Sequence, residues 1–363
     1  MAFRGIYPAA DLKPTEFGIL SAARVMTHTA RAYDERWIRG FSFEYDSQPT
    51  INILEDGGSS VHTMFDGTGL ARFIEVKPFF IEVEDFRSTF SLTGEDRFAR
   101  VLKQLEAVTQ KAIERELENG YVAREDLTTN QYLADSSSLV YASTTPGTAV
   151  SAIRGLSLLE YSLSNSPVGE QGVLHMTRDV ASTLGSTWLL MRVEDDKGKF
   201  HVETVNGTTA VVGSGYNGNG PAISLSSYLI SGNEVVITTS SNHYISQGET
   251  VVIASSVSGI NGTFVAKAGT TGTTIKYDKT LGDIGSTAVS GYAQMVGTDS
   301  VKWMYATGSI DVHLGKPEVV NDTLAQGYDV SGNQNDMRIK ALRPVAVHFD
   351  PAMHYAVKVD LTT

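Results

Sequence analysis

Cysteine is absent from the 363 residues, which excludes disulfide staples and thiolate metal sites and leaves stability to packing or to neighbours. No run of about 18 consecutive apolar residues occurs, so no membrane-spanning helix is read. The N-terminal MAFRGIYPAADLKP lacks an apolar segment followed by a small-residue cleavage site, and the expectation is a soluble, non-secreted protein. Positive charge is also short: 29 Lys and Arg face 41 Asp and Glu, a formal net charge of −12. That balance argues against a protein that grips nucleic acid through its phosphates, although a container for DNA stays open. Catalytic signatures are missing as well. There is no Walker loop, no Gly-x-Ser-x-Gly elbow and no His-Glu-x-x-His pair.

What is present is glycine, 34 residues of it, and a 41% hydrophobic share. Together they suit two or three compact units rich in strands and turns. The strongest helical signal runs from Gly94 to Gly120. Phe98, Val101, Leu102, Leu105, Val108, Ala112, Ile113 and Leu117 recur at three-and-four spacing, one apolar stripe on a 3.6-residue period. Thr93 stands three residues before Asp96 as an N-cap, and Gly120 suits the left-handed residue that ends a helix. Glu114 and Glu118 alternate with Lys111 and Arg115, which reads as a solvated or salt-bridged face.

Before this helix, residues 1–14 read as an arm interrupted by Pro8 and Pro14, followed by a short helix that Thr15 caps, reaching to about Arg31. FSFEYDSQPTINIL (41–54) and ARFIEVKPFFIEVEDFRSTFSL (71–92) alternate as two extended arms around a turn-rich junction, EDGGSSVHTMFDGTG. Pro78 confines the return arm to an edge or a bulge. After the helix, Pro146 opens a second one to about Ser164, GVLHMTRDVASTLG reads as a strand entering a helix, and TWLLMRVEDDKGKFHVETV reads as a hairpin. From about 222 to 296 only short strand signals appear, EVVITTS, ETVVIAS, GTFVAKA, TTIKYDK and TAVSGYAQMV, at roughly ten-residue spacing. This block reads as an all-β sandwich or barrel inserted in a mixed host, because KWMYATGSIDVHLG, RPVAVHFD and HYAVKVDL follow it as further strands.

Several motifs invite a chemical reading. Gly213, Gly215 and Gly218 have the spacing of a dinucleotide-binding loop, but Asn219-Gly220-Pro221 follows instead of a helix N-terminus, so the expectation is a tight loop needing positive φ. His348 and His354, with Asp350 between them, suggest a surface metal site only if they converge. His175 reads as a packed or capping histidine, and Glu194, Asp195 and Asp196 as solvated charge beside a turn. No catalytic, cofactor or metal residue is assigned, and the chain is read as a non-enzyme.

The order of elements resembles the major capsid proteins of tailed bacteriophages, the Hong Kong 97-type fold. PFFIEVEDFRSTFSLTGEDRFARVLKQLEAVTQKAIERELENG looks like the end of the extended loop and the spine helix of that family. PGTAVSAIRGLSLLEYSL, GVLHMTRDVASTL and VVGSGYNGNGP are similar to the axial domain of actinobacteriophage capsid proteins, and WMYATGSIDVHLG and PVAVHFDPAMHYAVKVDL to its closing strands. The block at 222–296 departs from many members. The resemblance implies an α+β chain divided into an N-terminal arm (1–40), an extended loop with peripheral strands (41–93), the spine helix and peripheral domain (94–145), an axial domain (146–221), the inserted β domain (222–296) and closing strands (297–363). It implies a virion protein that is assembled in the host cytoplasm, self-associates as pentamers and hexamers, and encloses double-stranded DNA without reading its sequence. Portal and scaffolding or cementing proteins are the implied partners, with no cofactor and no membrane. Phe73, Val76, Phe79, Ile81 and Val83 form an apolar row that exceeds the needs of a lone hairpin, and with Lys77 they are the expected contacts between subunits. Lys77 also suggests a covalent Lys–Asn cross-link. Two other readings stand beside this one: an encapsulin-like cargo shell, and a β-rich carbohydrate-binding virion protein in which 222–296 is the active part.

Overall fold

A computed structural model describes residues 16–29, 35–45, 51–54, 61–65, 72–88, 97–126, 129–166, 172–195, 198–321 and 336–362. The expected N-terminal arm, the Thr15 and Thr93 caps, most of the turn-rich junction and the loop at 327–335 lie outside these residues. A short helix α1 (Ile19–Ala22), a strand β1 (Arg24–Thr27) and a helix α2 (Glu35–Arg39) come first. Strands β2 (Phe41–Tyr45), β3 (Ile51–Leu54), β4 (Val61–Phe65), β5 (Arg72–Val76) and β6 (Phe79–Ser88) lead to α3 (Arg97–Asn119) and α4 (Tyr121–Glu125). Next are β7 (Val140–Tyr141), β8 (Val150–Ser151), α5 (Ala152–Ser164), β9 (Val173–Thr177), α6 (Arg178–Ser186), β10 (Leu190–Glu194), β11 (Phe200–Thr204) and β12 (Thr209–Gly213). A run of strands follows: β13 (Ala222–Ser231), β14 (Glu234–Thr239), β15 (Thr250–Ser255), β16 (Gly262–Val265), β17 (Thr274–Asp278), β18 (Ile284–Ala288) and β19 (Gly291–Met295). The described chain closes with β20 (Val301–Thr307), β21 (Ile310–Leu314), β22 (Glu318–Asn321), β23 (Asp336–Phe349) and β24 (His354–Asp360).

Three large sheets organise these elements. The first runs β1-β21-β23-β22, with β6 along the other edge of β23. The second runs β10-β11-β12-β9-β20-β24-β7, with β8 also on β24. The third, β16-β15-β19-β13-β14-β17 with β18 on β13, draws every strand from residues 222–295. Its outer strands meet, since Lys267 N–H donates to Lys276 O at 2.8 Å and the rings of Phe264 and Tyr277 stack at 4.0 Å. Two ribbons, β2–β5 and β3–β4, stand outside the sheets.

The long helix α3 covers β6 and β23, burying Val101, Leu105, Ile113 and Leu117, whereas Phe98 and Val108 of the same stripe face outward. Gly120 takes the left-handed φ of +59° expected of the terminating residue. None of the described helices is long and apolar enough to cross a membrane.

Several boundaries differ from the sequence reading. The first helix is one turn long because Arg24–Thr27 pairs in parallel with Asp311–Leu314, and that ladder overrides local propensity. The helix expected from Pro146 starts at Ala152, since Val150 and Ser151 first pair with Val359 and Asp360; the Ser151 hydroxyl then accepts from Arg154 N–H. The junction read as turn-rich contains β4, which pairs with β3. The return arm is broken at Lys77-Pro78, where the Asn130 side chain replaces a neighbouring strand: it accepts from Lys77 N–H at 2.8 Å and donates to Lys77 O at 2.7 Å.

Candidate functional site

Helical geometry sets Glu114 and Glu118 one turn apart and next to Ile113 and Leu117. All four are buried, and the two carboxylates have relative exposures of 0% and 1%. The solvated face expected of the charges on α3 is therefore confined to residues such as Lys111 and Arg115, which remain exposed. The cause is tertiary. The loop that leaves β12 folds its backbone amides onto the helix and solvates the carboxylates in place of water.

Glu114 Oε1 accepts from Ile19 N–H at 3.0 Å and its Oε2 from Gly215 N–H at 2.7 Å. Glu118 Oε1 accepts from Gly218 N–H at 2.7 Å and Asn219 N–H at 3.2 Å, while its Oε2 accepts from Asn217 N–H at 2.8 Å. Asn119 Nδ2 donates to the same Oε2 at 3.1 Å. Successive amides aimed at one point form an anion nest. The glycine spacing that resembles a dinucleotide loop thus does gather amides around an anion, and the anion is the chain's own glutamate. Glycine is required twice here. A Cβ on Gly215 would lie 2.5 Å from Lys111 O, and Gly218 holds φ at +71°.

Burial and hydrogen bonding oppose each other at these groups. Desolvation pushes the Glu118 carboxyl up to about 7, against the pull of the Asn217, Asn219 and Gly218 amides and the Asn119 side chain. Glu114 is raised by the same cause and held back by its own amides and by the charge of Arg178. Around them, the Tyr216 hydroxyl and His175 Nδ1 lie 2.8 Å apart, His175 Nε2 and Thr307 Oγ1 3.0 Å apart, and the Tyr305 hydroxyl donates to Asn219 O at 2.7 Å. Burial, with His354 adding to it, lowers His175 to about 3, so it is a packed, neutral imidazole as the sequence suggests. The arrangement is a clasp. It ties α3 to α1, to the loop between β12 and β13, and to strands β9 and β20.

A second set of contacts joins the 222–296 block to the rest. Lys358 of β24 is buried and reaches Glu249 Oε1 at 2.6 Å and Tyr244 O at 3.1 Å. The Arg124 guanidinium lies 4.1 Å from the centroid of Tyr292, and Gln294 Nε2 donates to Gly220 O at 2.9 Å.

The residues expected to contact other subunits divide into two groups. Val76, Phe79 and Ile81 are buried inside the chain, Val76 against Trp37 and Ala346, and Val83 is half-buried. Phe73 is 68% exposed, and Lys77 is exposed too. The row therefore serves the chain's own core first, because β6 pairs along β23 and is covered by α3 rather than standing as a lone hairpin. His348 and His354 do not converge. His348 Nε2 is 3.5 Å from Asp311 Oδ2 and its ring stacks on Phe43, whereas His354 Nε2 donates to Leu133 O at 2.9 Å. Among the described residues no group of three or more His, Asp or Glu is placed to hold a metal. Glu194 is exposed, as its position beside a turn suggests. The paired burial of Glu114 and Glu118 had one trace in the sequence, their place beside Ile113 and Leu117 in the helical register.

No protein-family model matches the chain, and no curated protein sequence matches it. Among solved structures, the capsid of a native GTA particle computed with C5 symmetry is similar over 99% of this chain and 95% of that one, at 8% identity and a TM-score of 0.47. A chain of Mycobacterium phage Ogopogo is 13% identical over 99% of this chain and 96% of that one, with a TM-score of 0.42. A chain of Microbacterium phage Oxtober96 is 8% identical over 99% and 95%, with a TM-score of 0.44. At such identities and scores these are likenesses of chain path alone, and no residue role is carried over from them.

Proposed function

We propose that this chain is the major capsid protein of a tailed phage, a tile that self-assembles as pentamers and hexamers into an icosahedral shell around double-stranded DNA. The observation that carries the reading is the ribbon β3–β4, since β2–β5 already packs on Trp37 and Ala346. A two-stranded ribbon is marginal in water without a third strand or a covering helix, and β3–β4 pairs with no other strand among the described residues. Such ribbons suit a protein whose neighbours complete them. The clasp fits the same role, because it holds a 23-residue helix to α1, to the loop between β12 and β13 and to the second sheet without presenting reactive groups to solvent.

In this reading residues 41–93 form the extended loop, α3 is the spine, and 146–221 with 297–363 form the axial and closing parts. The block at 222–296 is an inserted domain. Phe73 and Lys77 are the members of the expected row left for contact with a neighbouring subunit. Portal and scaffolding or cementing proteins complete the assembly in the host cytoplasm, and DNA is enclosed without sequence-specific contacts. The test is electron microscopy of the purified full chain beside its Leu105→Pro variant. Leu105 is fully buried in the middle of α3, and proline there removes a helix bond and costs about 3 kcal/mol or more. Closed particles from the wild type and none from the variant are expected. Normal particles from the variant, or a discrete wild-type monomer, would sink the reading.

A further inference from the structure

Trp188 is the most exposed large hydrophobic residue among those described, at 82%, and its φ is +62°. It follows α6, where Trp188 N–H and Leu189 N–H close the helix end onto Gly185 O and Leu184 O. Glycine is the residue that suits such a position, and a bulky side chain is strained there. A large indole in a strained conformation, facing water, contributes nothing to this chain's own packing.

The strand that follows, β10, is an edge of the second sheet, and β11 is its one partner among the described residues. Leu189 O accepts from Val205 N–H, and Asp195 N–H donates to Lys199 O. By antiparallel alternation the odd-numbered residues of β10 bond to β11, so the N–H and C=O groups of Leu190, Arg192 and Glu194 point to the open edge. Arg192 and Glu194 are exposed there, and the Arg192 guanidinium is held over Phe200 at 3.7 Å.

We infer that β10 is a docking edge for a second copy of this chain, which adds its own β10 antiparallel across a two-fold axis at Val193. A two-fold axis at any residue of β10 sets outward groups opposite one another, so the side chains select among the registers. Centring on Arg192 sets Arg192 against itself. Centring on Val193 sets Arg192 opposite the partner's Glu194, and the reverse, giving two opposite-charge pairs for one axis. The same register sets the exposed Trp188, which stands just before β10, at the far end of the partner's β10, where that chain turns back from Asp195 to Lys199. This edge pairing rests on the shell reading only in supplying one of the contacts a shell requires.

The test measures, by sedimentation velocity and light scattering on the full chain, the subunit concentration at which higher species appear. Arg192→Glu and Glu194→Arg each turn attraction into repulsion and should raise that concentration roughly tenfold. The double variant restores both pairs and should return it to the wild-type value. Trp188→Gly should weaken association by roughly tenfold or more, while its unfolding midpoint stays level or rises because the strain is relieved. That second readout separates a contact residue from a structural one. Unchanged association in the single variants, or no recovery in the double, overturns the edge pairing and leaves the shell reading intact. A wild type that stays monomeric at every concentration overturns both.

Discussion

Glu118 offers the sharpest test of how the fold is held. Its carboxyl titrates at about 7 in the folded chain against an ordinary value of 4.5. A carboxyl raised in this way keeps its proton in the folded state while the unfolded chain has already lost it. Stability therefore falls as pH rises from about 4.5 to about 7, and is level above that. At 1.36 kcal/mol per pH unit the fall amounts to about 3 kcal/mol. Glu118→Gln has the shape of the protonated acid and no titration. It should shift the whole curve by an amount independent of pH, because its amide offers one acceptor where the carboxylate offers two. The assay is urea unfolding of wild type and variant at closely spaced pH values between 4.5 and 8. The quantity of interest is their difference, in which every other titrating group cancels. Relative to the variant, the wild type should lose about 3 kcal/mol across that range. Parallel curves would mean that the amides of residues 217–219 keep the carboxylate ionised throughout, and the argument from desolvation would fail.

Gly215→Ala places a Cβ 2.5 Å from Lys111 O and 2.7 Å from Glu114 Cβ, so a loss of about 2 to 4 kcal/mol is expected, read as a lower urea midpoint with an unchanged slope. Burial lowers His175 to about 3 and His313, His348 and His354 to about 4. The unfolded chain then takes up protons first, and stability is lost as pH falls from about 6.5 toward 4, opposite in sign to Glu118. Glu118→Gln should accordingly unfold more steeply in acid than the wild type, which thermal melts at pH 5 and pH 7.5 would compare. Lys358→Met strands Glu249, whose side chain is 15% exposed; removing one partner of such a pair costs about 3 kcal/mol or more. Limited proteolysis should then release the 222–296 block. Equal protection in wild type and variant would show that Lys358 does not hold the block.

The parts legible in the sequence are those where one local signal suffices. The three-and-four stripe of α3 located the helix, and Gly120 its end, because helix geometry and left-handed φ are local requirements. The ten-residue rhythm of strands and turns located the strands of the third sheet, since hairpins are set by their own turn residues. Less could be read where a distant strand decides the outcome. Arg24–Thr27 looks helical until Asp311–Leu314 lies beside it, and Val150 and Ser151 look like the first turn of α5 until β24 takes them into a ladder.

The clasp shows the division most clearly. The sequence by itself determined that Gly213, Gly215 and Gly218 make a loop of tight turns, and that Glu114 and Glu118 share one side of a helix. Charge composition and helical period say nothing about what those carboxylates meet, and in isolation water is the better partner. The tertiary structure alone decided that the amides of a loop about 100 residues further on replace that water. The reason is that a carboxylate can be buried only where donors converge on it, and such convergence is a property of the folded chain and of no single segment.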